Sequence, residues 1–322
     1  MSQTQSTINT GQAMLRKDGN FLQRALFHMW QDRFLWALVL PGLVYFVIFC
    51  YIPLGGIIIA FKDYRPRMGI WASPWVGFRY FKEFFNSPYF YRLVRNTIVI
   101  NVYNLLWGFP VPIVFALLLN EVKAGLFKRT VQTVSYMPHF LSTVVIVGLI
   151  QSFLNPYEGI FNILLNKMGK ESITFLNQPK YFRTIYVASG IWQNFGYNSI
   201  IYLSAISAVD PQMYEAARID GASRLQIMMR ITLPCIMPTA IILLILQFGR
   251  MMNIGFEKVN LLQNPATYTT SDVISTYVYR KGIQDAQYSF STAISVFNSV
   301  INLMLISVVN FISRRMSDIS LW

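Results

Sequence analysis

Long charge-free apolar stretches alternate with short polar loops along most of the chain. Phe34 to Phe61, Asn96 to Leu119, Val131 to Phe153, Thr184 to Val209 and Tyr288 to Ser313 contain no Asp, Glu, Lys or Arg, and Leu233 to Phe256 is interrupted only by Arg250. A helix needs about 20 apolar residues to cross the hydrocarbon layer, so each window is long enough to span a membrane. The pattern predicts an all-α polytopic membrane protein with six transmembrane helices over 34–322 and both termini on one side. Ahead of the first span, Leu22, Ala25, Leu26 and Met29 recur at helical spacing beside Arg24 and Arg33, the signature of a helix lying in the interface. The first 20 residues are rich in Gln, Thr and Ser, so 1–33 reads as a tail and an interfacial helix, with no cleavable signal of its own.

Between the fourth and fifth windows, at 210–233, the pattern changes. Here Asp210 and Pro211 have the order of an N-cap and a first helical residue, Gly221 supplies a left-handed stop, and Ser223 with Gln226 forms a capping box. The spacing predicts two short helices meeting at an angle, the second running through Met228 and Ile231 to Leu233 and Pro234. Small Ala216, Ala217, Gly221 and Ala222 sit at the bend, where another surface can come close. A solvated helical connector has the same spacing.

Composition supports the membrane reading. Of 322 residues 54% are hydrophobic and 13% charged, about half the charged share of a soluble domain. The net charge of +13 is spread over short loops rather than gathered on one face, which argues against nucleic acid and for lipid headgroups or an acidic solute. Counting Lys and Arg by side does not orient the chain. The side with the termini carries twelve and the opposite side fourteen, including seven between Lys62 and Arg95 set against Asp63 and Glu83. Either the N-terminal group directs insertion or the far side needs positive charge. Cys50 and Cys235 lie in apolar surroundings with no metal-ligand spacing, and His28 and His139 have no carboxylate or second histidine near in sequence, so no metal or catalytic centre is expected.

The spacing Glu215-Ala216-Ala217, three residues, Gly221, nine residues, Ile231-x-Leu233-Pro234 resembles the EAA loop of membrane subunits of type I ABC importers. "YIPLGGIIIAFKDY" at 51–64, "VGFRYF" at 76–81, "RNTIVI" at 95–100 and "FALLLNEVKAGLFKRTVQTVSYMPHFLS" at 115–142 resemble the carbohydrate-uptake permeases among them. Within these they are most similar to the subgroup importing oligosaccharides from plant or algal polysaccharides, including uronic-acid polymers such as alginate. The resemblance implies that Glu215, Ala216, Ala217, Asp220 and Gly221 form a cytoplasmic coupling loop that docks on an ATPase subunit. It also implies a second, related permease chain (a heterodimer), two ATPase subunits holding ATP and Mg, an external solute-binding protein, and a place in the bacterial inner membrane with cytoplasmic termini. Many relatives carry an aromatic where Met228 and Met229 stand. The chain itself has no G-x-x-x-x-G-K-[ST] run, so ATP hydrolysis belongs to a partner and this chain is no enzyme.

Polar side chains inside the spans are the candidates for a solute path. Arg250 is predicted about 24 Å along its span from Pro234, sharing a helical face with Gln247 and Asn253. It either lines the path or snorkels to the interface. Trp192, Gln193, Asn194, Tyr197 and Asn198 offer rings to stack on sugars and amides to bond hydroxyls, or else they join helices. Asn298 and Asn302 on the last window fit the helix-joining role better. Gly108, Pro110 and Pro112 predict a kink in the second span. A secondary transporter or channel would need an intramembrane acid, and a membrane enzyme a convergent acid, base or nucleophile set; the six windows offer neither.

Overall fold

A computed structural model of the chain describes residues 32–316. The expected tail lies outside these residues, as does nearly all of the interfacial helix. The regular elements among the described residues are all helical, with a single isolated bridge between Lys62 and Trp75. By contacts the described residues divide into 32–58 and 59–316.

In the first unit, α1 (Arg33–Phe46) carries on through a π turn at Val47–Tyr51. With the residues up to Phe61 it makes a helical run of 29 residues, long and apolar enough to cross a membrane.

The second unit holds the remaining elements. Three more helices meet the same test of length and apolarity: Phe90–Glu121, Arg224–Phe248 and Tyr288–Arg315. The first comprises α2 (Phe90–Tyr103), a π turn at Asn104–Gly108 and α3 (Pro110–Glu121). The π turn falls where Gly108 and the prolines predict a kink. Pro110 and Pro112 offer no N–H to the preceding carbonyls, and a π turn absorbs that local mismatch.

The third window is not one straight span. Helix α4 (Leu126–Tyr136) passes into a 3₁₀ turn at Met137–Phe140, and α5 (Thr143–Phe153) leaves at a bend of 102°. Pro138 opens the 3₁₀ turn, and the Ser142 hydroxyl caps α5 by accepting from the Val145 N–H at 3.4 Å. The break is therefore a local stop and start written over a uniformly apolar window.

Helix α6 (Pro179–Ser207) has 29 residues, about 43 Å by helical rise, which is ample to cross a bilayer. Its middle is too rich in amides to pass as an apolar span. The six expected spans thus correspond to four apolar helices, one pair broken at 102°, and one long helix with a polar middle.

Three apolar clusters hold the second unit together. Ala116, Leu117, Tyr202, Ile206, Ile236 and Ala240 pack at the end where the helices meet the 210–233 hairpin. Toward the other end, Ile100, Val147, Phe182, Ile254, Val259, Leu262 and Val273 form a second cluster, and Phe84, Leu93, Met252, Ile274, Tyr277, Phe290 and Ile294 a third. The stretch of bundle between them holds the cavity described next. Against α6, α4 packs so closely at Gly196 that a β-carbon there would clash with the Ser135 carbonyl oxygen.

Candidate functional site: a polar cavity and a capped hairpin

The hairpin forms largely as its caps dictate. Asp210 accepts from the Gln212 N–H at 2.9 Å and starts α7 (Pro211–Ile219). Gly221 has φ +75°, the left-handed conformation that glycine adopts without penalty. The capping box is complete: the Ser223 N–H donates to the Gln226 side-chain oxygen at 2.7 Å, and the Gln226 N–H to the Ser223 hydroxyl at 3.4 Å. The second arm differs from expectation. Instead of ending before Pro234, α8 (Arg224–Ile227) continues through a π turn at Met228–Thr232 into α9 (Leu233–Phe248), a single helical run of 25 residues. Pro234 does not break this run because it falls in the first turn of α9, next to the π turn. The arms are tied where the Thr232 hydroxyl meets the Tyr214 hydroxyl at 3.3 Å. Glu215, Ala216, Asp220 and Gly221 are exposed and Ala217 half-buried, while Ile219, 87% exposed, presents an apolar side chain beside them. A shift of the hairpin is therefore a shift of the foot of α9.

At the far end of α9 a cavity of about 620 Å³ opens between α2–α3, α6 and α9. Gln193, Asn194 and Asn198 of α6 line it together with Gln247, Arg250 and Asn253, so six of the eight path candidates meet at one site. Trp192 and Tyr197 are outside the lining. Trp192 is exposed on another side of α6, and Tyr197 stacks face to face on His139, with ring centroids 3.8 Å apart. His139 also bonds Asn194 at 2.9 Å, and Gln193 donates to the Leu141 carbonyl at 3.3 Å, so two cavity amides are braced by the break between α4 and α5.

Arg250 reaches the cavity by a different route from the one expected. Helix α9 ends at Phe248, and Arg250 lies in the turn beyond it, its N–H donating to the Gln247 carbonyl at 3.1 Å. The turn is held by the last span, α12 (Tyr288–Met316): Asn302 accepts from the Met252 N–H at 3.0 Å, and Asn298 donates to Asn253 at 2.9 Å. Those two asparagines are the helix-joining groups their spacing suggested.

Asn101 and Asn104 were not anticipated in the lining, and neither was Lys258. The asparagines, three residues apart, share one face where α2 runs into the π turn. Lys258 belongs to α10 (Phe256–Leu262), a short helix beyond the α9 turn and outside the spans, and it is buried with 8% of its surface exposed. Its ammonium donates to the Tyr186 carbonyl at 3.3 Å and lies 5.1 Å from the centre of the Tyr186 ring. Burial pushes its pKa down to about 8. The lining contains seven amide side chains, two cations and no carboxylate.

Much of the positive charge on the side opposite the hairpin is engaged elsewhere. Lys62 is buried and donates to the Ile70 and Trp71 carbonyls at 2.9 Å each. Arg65 pairs with Asp63 and Lys281 with Asp285, while Arg92 and Arg280 converge on buried Asp272 at 2.8 and 3.0 Å.

Residues 108–318, more than half of the chain, match the family described as "Binding-protein-dependent transport system inner membrane component". The chain belongs to this family. It is thus a permease component of a transport system rather than an enzyme. Among its relatives, Protein LplB of Bacillus subtilis is 45% identical over 88% of this chain and 90% of its own length. The polygalacturonan/rhamnogalacturonan transport system permease protein YteP of the same organism is 44% identical over 92% of each chain. A solved bacterial ABC transporter involved in import of the acidic polysaccharide alginate superposes with a TM-score of 0.85 at 43% identity, covering 91% of this chain and 99% of its own. A second structure, an alginate ABC transporter in complex with an alginate pentasaccharide-bound periplasmic protein, has a TM-score of 0.85 at 42% identity, covering 92% and 100%.

Proposed function

We propose that this permease forms half of the translocation path for an oligosaccharide carrying carboxylates, delivered by an external solute-binding protein. The observation that carries this is the cavity lining: amides suited to sugar hydroxyls, two cations, and no acid to repel an anionic solute. Two relatives point the same way, one named for polygalacturonan and one solved with alginate, both of them polymers with a carboxylate on the sugar ring.

The remaining parts follow the family pattern. A second, related permease chain completes the path, and two ATPase subunits bind ATP and Mg outside this chain. The hairpin docks on one of them through Glu215, Ala216, Ala217, Asp220 and Gly221, with exposed Ile219 adding apolar contact. Both termini then lie in the cytoplasm, the face where ATP is available. Because α8 runs unbroken into α9, closure of the ATPase pair is transmitted as movement of a helix whose far end carries Gln247 and leads into Arg250. The spans open outward to receive the solute, and hydrolysis resets them inward.

The test is binding-protein-dependent ATPase activity of the assembled complex in lipid, with oligouronates against neutral oligosaccharides of equal length. Stimulation by oligouronates several-fold above neutral sugars is expected. Equal or greater stimulation by neutral sugars would refute the acidic-solute reading and leave a permease for neutral plant-derived oligosaccharides. No nucleotide turnover with any set of partners would refute the importer reading altogether.

A further inference from the structure

A buried ammonium is expensive unless an anion or a full set of acceptors compensates it. Lys258 has neither. Among the described residues no carboxylate lies within ion-pair distance of it, and it donates to one backbone carbonyl, that of Tyr186. The Tyr186 ring adds a cation–π contact, which is a partial substitute. Of the other basic side chains near this end, Lys62 is comparably enclosed and is engaged by two carbonyls, while Arg280, more exposed, is paired with Asp272, and Arg183 donates to Asn96. Lys258 alone of these pairs deep burial with a place on the cavity wall. Arg250, the other cation there, is exposed in a turn and can satisfy its guanidinium with water.

We infer that Lys258 is a solute-recognition residue of the path: its ammonium receives the carboxylate of one uronate unit, while neighbouring amides such as Asn194 and Asn198 take ring hydroxyls. The inference rests on the acidic-oligosaccharide reading and adds the residue that enforces it. An arriving carboxylate supplies the missing anion in a water-poor wall, where a charge-assisted hydrogen bond is stronger than in water. A neutral sugar leaves the ammonium uncompensated. The selectivity therefore comes from the cost already present in the empty path as much as from the new bond.

The competing explanation is structural, that Lys258 only bridges α10 to the Tyr186 carbonyl of α6. Two substitutions separate these roles. Lys258→Gln keeps a donor for the carbonyl and removes the charge; Lys258→Arg keeps the charge and changes the shape. The assay is uptake of a tetrauronate into proteoliposomes containing the full complex, with its binding protein outside and ATP inside, at equal amounts of assembled complex. We expect Lys258→Gln to lower uptake at least tenfold and Lys258→Arg to stay within threefold of wild type. If Lys258→Gln retains more than a third of the wild-type rate, or if Lys258→Arg falls as far as Lys258→Gln, the inference is overturned. The wild-type arm tests the parent reading separately, since a wild-type complex that imports neutral tetrasaccharide but no tetrauronate refutes the acidic solute itself.

Discussion

Asp272 offers the sharpest test of what holds the outer end of the bundle. Its carboxylate is fully buried, and three donors converge on it: Arg92 at 2.8 Å, Arg280 at 3.0 Å to both oxygens, and the Thr276 hydroxyl at 3.3 Å. Asn96 donates to the Asp272 and Thr269 carbonyls at 3.1 and 3.2 Å, and Arg183 donates to Asn96 at 2.9 Å, so α2, α6 and the segment leading into α11 (Ile274–Tyr279) meet at this residue. Burial works against the Arg280 charge, but the carboxylate more than offsets it and its pKa lies above the ordinary value. Asp272→Asn preserves shape and removes the charge. Breaking a buried ion pair typically costs about 3–5 kcal/mol. Here the two guanidiniums keep 30% and 24% of their side-chain surface in contact with solvent and can partly rehydrate, so the lower end, about 3 kcal/mol, is expected. At 1.36 kcal/mol per tenfold, that is roughly a 150-fold rise in local opening. Hydrogen exchange in lipid nanodiscs reads it directly at the Ile274 amide, which donates to the Thr97 hydroxyl at 3.1 Å and opens only when this junction does. Arg92→Gln and Arg280→Gln, each leaving Asp272 one guanidinium and the Thr276 hydroxyl, should have smaller effects, and each should add little on top of Asp272→Asn. Exchange at Ile274 within threefold of wild type in Asp272→Asn would show that the junction is held by packing and that the ion cluster contributes little.

Three further outcomes are expected. Lys258, with a pKa held near 8 by burial, is charged below that pH and neutral above it, so wild-type uronate uptake should decline as pH rises through about 8; in Lys258→Arg, whose side chain stays charged, uptake measured over the same range should not decline. Gly221→Ala meets no neighbour within 4 Å but must hold φ +75°, a strain of about 1–2 kcal/mol, so stimulated ATPase activity and uptake should lose coupling by several-fold while basal ATP hydrolysis is unchanged. Gly196→Ala would drive a methyl into the Ser135 carbonyl and force α4 and α6 apart, which at about 1–3 kcal/mol or more should appear as a lower melting temperature of the detergent-solubilised complex.

What could be read from the sequence was local. The hairpin caps depend on residues two or three apart, Asp210 with Gln212 and Ser223 with Gln226, and such short-range hydrogen bonds form wherever the chain permits. Apolar length likewise located four helices long and apolar enough to span. Hydropathy averaged over a window cannot register a break made by two residues, however, so Pro138 and Ser142 turned one apolar stretch into two helices at 102° without altering its composition. Periodicity carried past a helix end fails in the same way. Gln247, Arg250 and Asn253 do reach one cavity, yet the helix that was to align them stops at Phe248, and Asn298 and Asn302 of another helix fix the turn instead.

Charge was the least legible property, because its meaning depends on what the folded chain places beside it. Summed over the side opposite the hairpin, the basic residues suggested only that this side needs positive charge. In the fold Lys62 and Arg280 serve as internal braces, and Arg65, Arg92 and Lys281 are paired with acids. A paired cation contributes little field beyond a Debye length of about 10 Å. Lys258, by contrast, stood in the sequence as one more loop lysine, two residues past the fifth apolar window. It becomes a cavity residue only because α10 packs back against α5 and sets its side chain beside Tyr186. Selectivity for an anionic solute therefore comes down to where a cation is left uncompensated, and a count of positive charges by side cannot find that place.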